Sequence, residues 1–281
     1  MKTCLVLEGG AKRGIYTAGV LDVLLENNII TDGVIGVSAG AIHGCSYAAM
    51  QIGRSIRYNM KYGNDYRFMS FKSLLLSGNV VDTEFCYHEL PEKLDPFDNE
   101  AFKKSGIEFY VVCSNLETGK PEYIQCRDMF AEIDYLRASA SLPLASKIVE
   151  IGGKKLLDGG ITDSIPLQAA EKLGFGKNIV VLTRPSGYRK NPSHLNWLMK
   201  LVYGKYPRFV EAFARRYKAY NDELDYIEQA EKDGKVLVIR PSRTVKVKKM
   251  EQDLSKVKEM YDLGRQDALT ALDEIKNFVT T

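Results

Sequence analysis

The feature that most constrains the fold is a strand, a glycine-containing turn and a helix, which occur twice in succession at the N-terminus. Residues 3–7 form an apolar run that ends in glycines, and residues 15–27 show the apolar spacing of a helix. Residues 34–37 predict a second buried strand, and a long helix rich in small residues is expected from 39 to about 60. Alternating strands and helices predict a parallel sheet with right-handed crossover connections.

Segments further along the chain extend this sheet. We expect a strand at 107–114, a returning hairpin strand at 121–125, a second hairpin within 147–157, a helix at 165–173 and a buried strand at 178–183. The pattern therefore predicts an α/β fold with a mixed sheet of five or more strands, flanked by helices. At 281 residues, the chain suits one large α/β domain or a domain with an appendage.

The composition changes beyond the last of these strands. Residues 184–220 carry nine Lys and Arg against one acidic residue, together with eight aromatic residues. After them we expect a polar helix at 222–233, a strand at 236–239 and a long C-terminal helix at 250–279. We therefore predict a first domain at 1–183 and a helix-rich extension at 184–281 that packs on it.

The basic, aromatic segment 184–220 has two interpretations. It is a candidate lid or membrane-facing segment, in which apolar side chains enter a lipid interface and basic side chains meet anionic head groups. The apolar set is Trp197, Leu198, Leu201, Val202 and Tyr203, and the basic set is Lys200, Lys205 and Arg208. In the other interpretation, the aromatic side chains pack in a helix-pair core and the charges are solvated. Residues 70–78 are a second candidate lid.

Charge, cysteine content and hydropathy exclude several protein classes. The net charge of +3 is too small to predict nucleic-acid binding. The five cysteines include no Cys-x-x-Cys pair, so they predict free thiols in a reducing compartment rather than disulfides or a zinc site. The N-terminal apolar run ends at Glu8, too early for a signal peptide, and no stretch approaches the roughly 20 apolar residues that span a bilayer. We therefore expect a cytoplasmic protein, soluble or peripherally attached to a membrane.

The first candidate catalytic motif is Gly-Val-Ser-Ala-Gly at 36–40, which fits G-x-S-x-G. Such a serine lies on a tight strand-to-helix turn whose strained backbone lifts the hydroxyl clear of the sheet. Small neighbours, here Gly36 and Gly40, let the strand and helix approach closely, and the helix N-terminus points N–H groups at a reacting carbonyl oxygen. Ser38 is therefore a candidate nucleophile, and a structural turn is the alternative.

The second motif is Gly-Gly-Ala-Lys-Arg-Gly at 9–14, between the first strand and the first helix. A loop of this kind can present several backbone N–H groups to an anion. Three interpretations are open: an oxyanion hole that uses the Gly10 and Ala11 amides, a phosphate-binding loop of a nucleotide-binding fold, or a plain turn. The dinucleotide-binding pattern G-x-G-x-x-G requires glycine where this chain has Ala11, and no G-K-[ST] sequence is present.

The third motif is Asp158-Gly159-Gly160, which follows an apolar strand end. An aspartate at a strand end, followed by two flexible residues, can face the mouth of a sheet. A turn aspartate is the alternative interpretation.

The three histidines do not complete a Ser-His-Asp triad. His43 lies five residues beyond Ser38 on the same helix, so its ring cannot easily turn back to the hydroxyl. His88 precedes Asp158, whereas the α/β-hydrolase order places the histidine last. His194 has the right order but lies in the basic, aromatic segment. We therefore expect a structural or surface role for each histidine.

The three motifs, at 9–14, 36–40 and 158–160, resemble those of patatin-like phospholipases and occur in the same order. The segment Ala-Ser-Ala-Ser-Leu-Pro at 138–143 is similar to the small-residue segment that precedes the aspartate in that family. The likeness covers roughly residues 3–183. It implies a three-layer α/β/α sandwich with a mostly parallel central sheet and a helical C-terminal extension. It also implies a Ser-Asp dyad that needs no histidine.

The resemblance implies a serine acyl hydrolase that acts on lipid esters, with Ser38 as nucleophile and Asp158 as general base. Such an aspartate needs a raised pKa and therefore partial desolvation. The residues implied for the oxyanion hole are Gly9, Gly10, Ala11, Arg13 and Gly14, and those that support the motifs are Gly36, Gly40, Gly159 and Gly160. No metal or organic cofactor is implied. The alternatives are a non-catalytic lipid-binding or regulatory protein on the same fold, and a nucleotide-binding α/β protein.

One position departs from the family's pattern. The family's glycine loop commonly has three successive glycines, and the third is Ala11 here. If Ala11 had a positive φ, its side chain would cost roughly 1–2 kcal/mol. Because Lys12, Arg13 and Gly14 keep the pattern, we expect an ordinary negative φ at Ala11.

Overall fold

The computed structural model describes residues 1–280, which contain one eight-stranded sheet. The strands are β1 (Thr3–Leu7), β2 (Gly33–Val37), β3 (Glu108–Asn115), β4 (Pro121–Cys126), β5 (Val149–Ile151), β6 (Lys154–Asp158), β7 (Lys177–Val181) and β8 (Val236–Ile239). Their order is β5-β6-β3-β2-β1-β7-β8, with β4 also paired to β3. β1, β2, β3, β7 and β8 are parallel, and β4, β5 and β6 are antiparallel to their neighbours. The predicted mixed, mostly parallel sheet is confirmed.

Helices connect and cover these strands. They are α1 (Ile15–Glu26), α2 (Ala39–Ala48), α3 (Arg54–Tyr62), α4 (Phe71–Ser77), α5 (Asn99–Lys104), α6 (Ile133–Ser139), α7 (Leu167–Lys172), α8 (Asn196–Tyr203), α9 (Pro207–Lys232), α10 (Leu254–Thr270) and α11 (Leu272–Thr280). A π-helical segment occupies Phe85–Leu94, and short 3-10 helices occupy Ala11–Gly14 and Gly159–Ile161.

Three of the expected helices differ from the structure. The chain between 39 and 60 forms α2 and α3, because Met50 and Gly53 take positive φ values of 56° and 72°, and a left-handed residue ends a helix. The C-terminal segment forms α10 and α11 rather than one helix. The helix expected at 222–233 begins earlier, at Pro207, whose fixed φ suits a first helical turn.

Helices cover both faces of the sheet. Successive strand residues point to opposite faces, so Leu5 and Leu7 of β1 belong to a different layer from Val6. Leu5 and Leu7 pack in one core with α1, α2 and α10, whereas Val6 packs in a second core with α7 and α9. The three-layer α/β/α architecture implied by the resemblance is therefore confirmed.

The C-terminal helices pack closely on the N-terminal part of the chain. A Cβ at Gly19 of α1 would lie 2.2 Å from the Tyr261 carbonyl oxygen, and a Cβ at Gly264 of α10 would lie 2.1 Å from that of Tyr16. The Tyr261 hydroxyl also donates a hydrogen bond of 2.6 Å to Asp22. β8 joins the same sheet as β1, and α10 and α9 pack on opposite faces of that sheet. The C-terminal part therefore contributes to all three layers. The division into domains at 1–183 and 184–281 stays a prediction.

The pairing of β3 explains how distant motifs meet. Val112 of β3 pairs with Val37 of β2, and the next residue, Cys113, pairs with Asp158 of β6. β4 pairs with the same stretch of β3 and occupies its other edge, so β2 and β6 share one edge. Because β2 runs parallel to β3 and β6 antiparallel, their C-terminal ends face each other there. Ser38, directly after β2, therefore lies next to Asp158.

The basic, aromatic segment combines buried and exposed side chains. Tyr203, Tyr206, Phe209 and Tyr220 are buried, whereas Trp197, Leu201 and Val202 are exposed on α8. Lys200, Lys205 and Arg208 are also exposed. The buried aromatic side chains fit the core interpretation for part of the segment, and the membrane contact stays a prediction. Within residues 1–280, none of the helices has the length and apolar character needed to cross a membrane.

Candidate active site

Ser38 lies at the sharp turn between β2 and α2. Its φ of 54° and ψ of −120° are strained for a residue other than glycine. The turn is crowded on both sides: a Cβ at Gly36 would lie 2.6 Å from the backbone of Ala41, and one at Gly40 would lie 2.5 Å from the Leu7 carbonyl oxygen. Both positions therefore require glycine, and the serine is held at the N-terminal end of α2.

The small-residue segment at 138–143, which begins in the last turn of α6, supports the backbone of both candidate catalytic residues. The N–H of Ser38 donates to the hydroxyl of Ser139 at 2.8 Å, and that hydroxyl donates to the Val112 carbonyl at 2.6 Å. The N–H of Asp158 donates to the Ser141 carbonyl at 2.8 Å. Ser139 therefore links the strained serine turn to the central strand.

The Asp158 carboxyl is buried, with 2% of the residue exposed. Burial raises the pKa of Asp158 above its ordinary value, against the opposing effects of the Arg216 charge and of a hydrogen bond from the Ser38 side chain. The Ser38 hydroxyl therefore lies near the Asp158 carboxyl. A raised pKa makes the carboxylate a better acceptor for the serine proton.

The glycine pair after Asp158 is required by space. A Cβ at Gly159 would lie 2.2 Å from the Val112 carbonyl oxygen. The N–H of Gly160 donates to Oδ1 of Asp158 at 2.8 Å, and a Cβ at Gly160 would lie 3.2 Å from Nη2 of Arg216. The pair therefore lets the chain pass close to β3 while it orients the carboxyl group.

The glycine loop at 9–14 follows β1 and faces the same region. Ala11 has a φ of 49°, so the expected negative φ was wrong. The loop turns at Ala11 into a short 3-10 helix, because Gly14 beyond it is held against Ala39, where a Cβ would lie 2.5 Å from the Ala39 Cβ. Within residues 1–280, the N–H groups of Gly10 and Ala11 donate to no protein acceptor.

Glu8, the residue before this loop, holds it in place through hydrogen bonds. Its buried carboxylate accepts hydrogen bonds from the N–H and hydroxyl of Thr183, at 2.5 and 3.0 Å, and from the Tyr220 hydroxyl at 2.7 Å. Gly9 and Gly10 complete the close packing, since a Cβ at Gly10 would lie 2.9 Å from Oγ1 of Thr183. The loop is therefore fixed by Thr183, two residues beyond β7, and by Tyr220 of α9.

Arg13, in the glycine loop, lies near the basic side chain of Arg184. Its Nε is buried and has no hydrogen-bond partner. Burial, followed by the nearby charge of Arg184, lowers the pKa of Arg13 from its ordinary value. Arg13 therefore brings an incompletely satisfied guanidinium group to the site.

Within residues 1–280, none of the histidine side chains forms a hydrogen bond with Ser38 or Asp158. His43 is buried on α2, with Nδ1 3.0 Å from the Ser55 hydroxyl. Burial lowers the pKa of His43 to about 3, so its ring is neutral at physiological pH. His88 and His194 lie at the surface.

A cavity of about 690 Å³ opens beside Ser38 and Asp158, a volume typical of ligand sites. Gly10 and Ala11 of the glycine loop also line it. Its apolar wall includes Ile42, Phe71, Leu74, Leu90, Phe97, Leu136 and Leu142, and its basic side chains include Arg13, Arg184, Lys190, Arg216 and Lys249. The cavity can therefore hold an apolar chain and an anionic group together.

The family model for patatin-like phospholipase matches residues 5–171. The chain belongs to the patatin-like phospholipase family. A second model, described as a domain of unknown function (DUF6363), matches residues 206–280. The patatin-like match includes all three motifs, and the second covers α9, β8, α10 and α11.

Relatives of this patatin-like chain include bacterial and fungal proteins. The uncharacterized protein YjjU of Escherichia coli (strain K12) is 26% identical over 276 residues, which cover 94% of this chain and 75% of YjjU. Lysophospholipase nte1 of Aspergillus terreus is 27% identical over 293 residues, which cover 97% of this chain but 18% of that enzyme. Among solved structures, VipD from Legionella pneumophila aligns over 96% of this chain and 67% of its own, with 13% identity and a TM-score of 0.42.

Some residues at this patatin-like site were not singled out from the sequence. Ser139 stands in the small-residue segment at 138–143 and Glu8 directly precedes the glycine loop, but the sequence assigned neither side chain a role in supporting the two loops. Lys190 and Arg216 come from the basic segment, whose charge excess indicated a membrane contact rather than a place beside Asp158. Within residues 1–280, no group of three or more His, Cys, Asp or Glu side chains is placed to hold a metal ion.

Proposed function

We propose that this chain is a serine acyl hydrolase that cleaves a carboxylic ester of a lipid, in the manner of a phospholipase A or lysophospholipase. The observation that carries the proposal is the strained Ser38 beside the buried Asp158, at one wall of a cavity with an apolar interior. Membership of the patatin-like family and relatives named as lysophospholipases support a lipid hydrolase.

The first half of the reaction forms an acyl-enzyme. Asp158 accepts the hydroxyl proton of Ser38 as Oγ attacks the ester carbonyl carbon. The resulting oxyanion accepts hydrogen bonds from the free N–H groups of Gly10 and Ala11, each worth roughly 3–4 kcal/mol in comparable hydrolases. The carbon–oxygen bond to the alcohol then breaks, and the alcohol oxygen takes the proton from Asp158.

The second half releases the fatty acid. Water attacks the acyl carbonyl carbon and gives a proton to Asp158. The tetrahedral intermediate collapses, the bond to Ser38 Oγ breaks, and the serine recovers its proton from Asp158. The apolar cavity wall holds the acyl chain throughout. Burial of Asp158 favours the cycle, because a desolvated carboxylate binds a proton more strongly.

Labelling with a fluorophosphonate probe tests the proposal, since only an activated serine reacts. We expect the unaltered protein to be labelled and to hydrolyse a nitrophenyl ester, and Ser38→Ala and Asp158→Asn to lose both properties while remaining folded. Ser193→Ala, a change at another serine that lines the cavity, is the matched control and should keep both. Near-normal turnover by Ser38→Ala would exclude Ser38 as the nucleophile.

A protein that binds lipid without labelling or turnover would instead fit the non-catalytic alternative. We further propose a reducing compartment such as the cytoplasm, because all five cysteines are free thiols.

We also propose that the rim of the cavity contacts an anionic membrane. Exposed apolar side chains stand on two helices beside the cavity, with Phe71 and Leu75 on α4 and Trp197 and Leu201 on α8. Phe71 itself lines the cavity, so the apolar rim and the interior are continuous. The exposed basic side chains Lys200, Lys205 and Arg208 accompany α8, and each cation near an anionic surface contributes about 1 kcal/mol.

Co-sedimentation with anionic vesicles at low and high salt tests this contact. We expect binding at low salt that weakens as salt rises, because screening shortens the range of the attraction. Replacing Lys200, Lys205 and Arg208 together by Glu should abolish it. The control replaces three exposed lysines elsewhere, Lys104, Lys235 and Lys276, and should retain binding. Equal binding by both triple variants would show that the segment is not the membrane contact.

A further inference from the structure

Besides Lys12 and Arg54, five basic residues line the cavity and lie near one another beside Asp158. They are Arg13, Arg184, Lys190, Arg216 and Lys249, here called the cationic cluster. Four are half-buried, and Lys249 is more exposed. They come from the glycine loop, from the segment after β7, from α9 and from the loop before α10. Only the tertiary fold therefore brings them together.

The cationic cluster lacks counter-charges. Across residues 1–280, none of its members has a carboxylate within 4.0 Å. The buried Nε atoms of Arg13 and Arg216 have no hydrogen-bond partner. Buried polar groups are normally satisfied, and the exceptions call for a partner from outside the chain.

Repulsion among these cations adds to the cost of burial. Burial, followed by the charge of Arg216, lowers the pKa of Lys190 to about 7. The same two causes, in the same order, lower the pKa of Lys249. Like charges held together in a partly desolvated place are destabilising until an anion joins them. The cluster therefore has the electrostatic character of an anion site.

The acidic groups that line the cavity are engaged elsewhere. Glu8 accepts hydrogen bonds from Thr183 and Tyr220, and Asp158 accepts one from Gly160. Neither forms a direct ion pair with the cluster. An anionic ligand would therefore meet an excess of positive charge, because five cations face two carboxyl groups.

The position of the cluster relates it to the reacting groups. Nη2 of Arg216 would lie 3.2 Å from a Cβ at Gly160, and Gly160 donates to the Asp158 carboxyl. The acyl chain has an apolar wall of its own in the same cavity. A lipid with its ester carbonyl at Ser38 can therefore direct its acyl chain to that wall and its head group to the cluster.

Two aromatic rings beside the cluster, those of Tyr188 and Tyr220, already hold cations of the protein. Lys190 Nζ lies 3.7 Å from the centroid of the Tyr220 ring, and the Arg184 guanidinium lies 4.5 Å from that of Tyr188. A quaternary ammonium group binds on such ring faces, but here the protein's own cations cover them. The site therefore favours a net negative head group over a choline.

We propose that the cationic cluster binds the phosphate of an anionic lipid head group, so that the enzyme prefers lipids of net negative charge to zwitterionic or neutral lipids. This inference rests on the proposed function, because it assigns the head-group end of the same site. A phosphate monoester fits the donor set best, since guanidinium groups bind its oxygens in a bidentate manner and lysine adds a point charge.

Three soluble short-chain substrates that share one acyl chain test the preference: lysophosphatidic acid, lysophosphatidylcholine and monoacylglycerol. All are used below their critical micelle concentrations, so that surface attachment does not enter. We expect kcat/KM for lysophosphatidic acid to exceed that for each of the others at least tenfold. Arg216→Gln and Lys190→Gln should each reduce this ratio several-fold, because each removes a cation that acts on the charged substrate alone.

The matched controls are Arg215→Gln and Lys248→Gln, exposed neighbours in sequence that do not line the cavity. They should keep the ratio of the unaltered protein. A ratio near one in the unaltered protein would overturn the head-group site. So would a ratio that survives in both Arg216→Gln and Lys190→Gln.

Binding to the Ser38→Ala protein separates this inference from the proposed function. Calorimetric titration with lysophosphatidic acid, lysophosphatidylcholine and inorganic phosphate needs no turnover. We expect the phosphate monoester lipid to bind at least tenfold more tightly than either of the others. If this order holds while the unaltered protein cleaves no ester, the proposed function fails and the head-group site stands. If inorganic phosphate binds as tightly as the lipid, the site takes free phosphate and the lipid assignment is wrong.

Discussion

Ser139→Ala tests whether one buried hydroxyl holds the strained serine turn. Ser139 is fully buried, accepts the Ser38 N–H at 2.8 Å and donates to the Val112 carbonyl at 2.6 Å. The change leaves the Ser38 N–H buried without an acceptor, which costs about 1–3 kcal/mol of stability. It also removes the hydrogen bond to the Val112 carbonyl, which contributes about 1 kcal/mol. We therefore expect the free energy of unfolding to fall by about 2–4 kcal/mol, measured by urea denaturation.

The same change should slow the chemistry of Ser38. If about half of the lost energy held the serine in its reactive conformation, labelling by a fluorophosphonate should slow about tenfold, since about 1.4 kcal/mol corresponds to a factor of ten. The control is Ser141→Ala, which removes one bond to the Arg137 carbonyl within the same segment. This control should lose about 1 kcal/mol and keep its labelling rate. A Ser139→Ala protein with unchanged stability and labelling would refute the reasoning.

Three further predictions concern the backbone, the buried carboxyl and the helix packing. Ala11→Gly should raise the free energy of unfolding, measured by urea denaturation, by up to about 1 kcal/mol, because relief of the positive φ outweighs the greater entropy of the unfolded glycine chain. A fall in the free energy of unfolding by more than about 1 kcal/mol would show instead that the Ala11 methyl group packs favourably. Burial raises the pKa of Asp158 in the folded state, so the stability of the unaltered protein should fall as pH rises through that pKa. Asp158→Asn should then be the more stable protein at pH 8, with a difference that narrows toward acidic pH; a difference independent of pH would contradict the assignment. Gly264→Ala should destabilise the fold by about 1–3 kcal/mol or more and lower the midpoint of thermal unfolding, since its Cβ would lie 2.1 Å from a backbone oxygen of Tyr16. The control Gln266→Ala, at an exposed position on the same helix, should change that midpoint little.

Local patterns predicted the elements that carry the candidate site. The apolar runs at 3–7 and 34–37 are strands, and the glycines around Ser38 stand where a Cβ would clash. The two hairpins, at β3–β4 and β5–β6, also lie where turn residues indicated them. These features follow from neighbours in sequence, so sequence periodicity and turn chemistry suffice to predict them.

The φ of Ala11 shows where local patterns fail. The residues after Ala11 kept the expected pattern, yet the φ of 49° follows from how the loop is held between β1 and the helix beyond it. The same applies to the break between α2 and α3, where a left-handed Met50 ends a segment of favourable composition. Backbone conformation at such points is set by packing, which no local residue preference contains.

The sequence by itself determined the class of fold, the serine turn and the glycine loop, because each depends on residues within one turn of the chain. Only the tertiary structure decided which distant groups meet. The pairing of β2 and β6 along one edge of β3 brings Asp158 to Ser38 across 120 positions of sequence. The docking of α9 and the loop before α10 adds Arg216 and Lys249 to a cavity begun by the glycine loop. The physical reason is that strand order and helix docking depend on burial of the whole hydrophobic core. The charge of a site depends in turn on which side chains that burial brings together, so it cannot be read from neighbours in sequence.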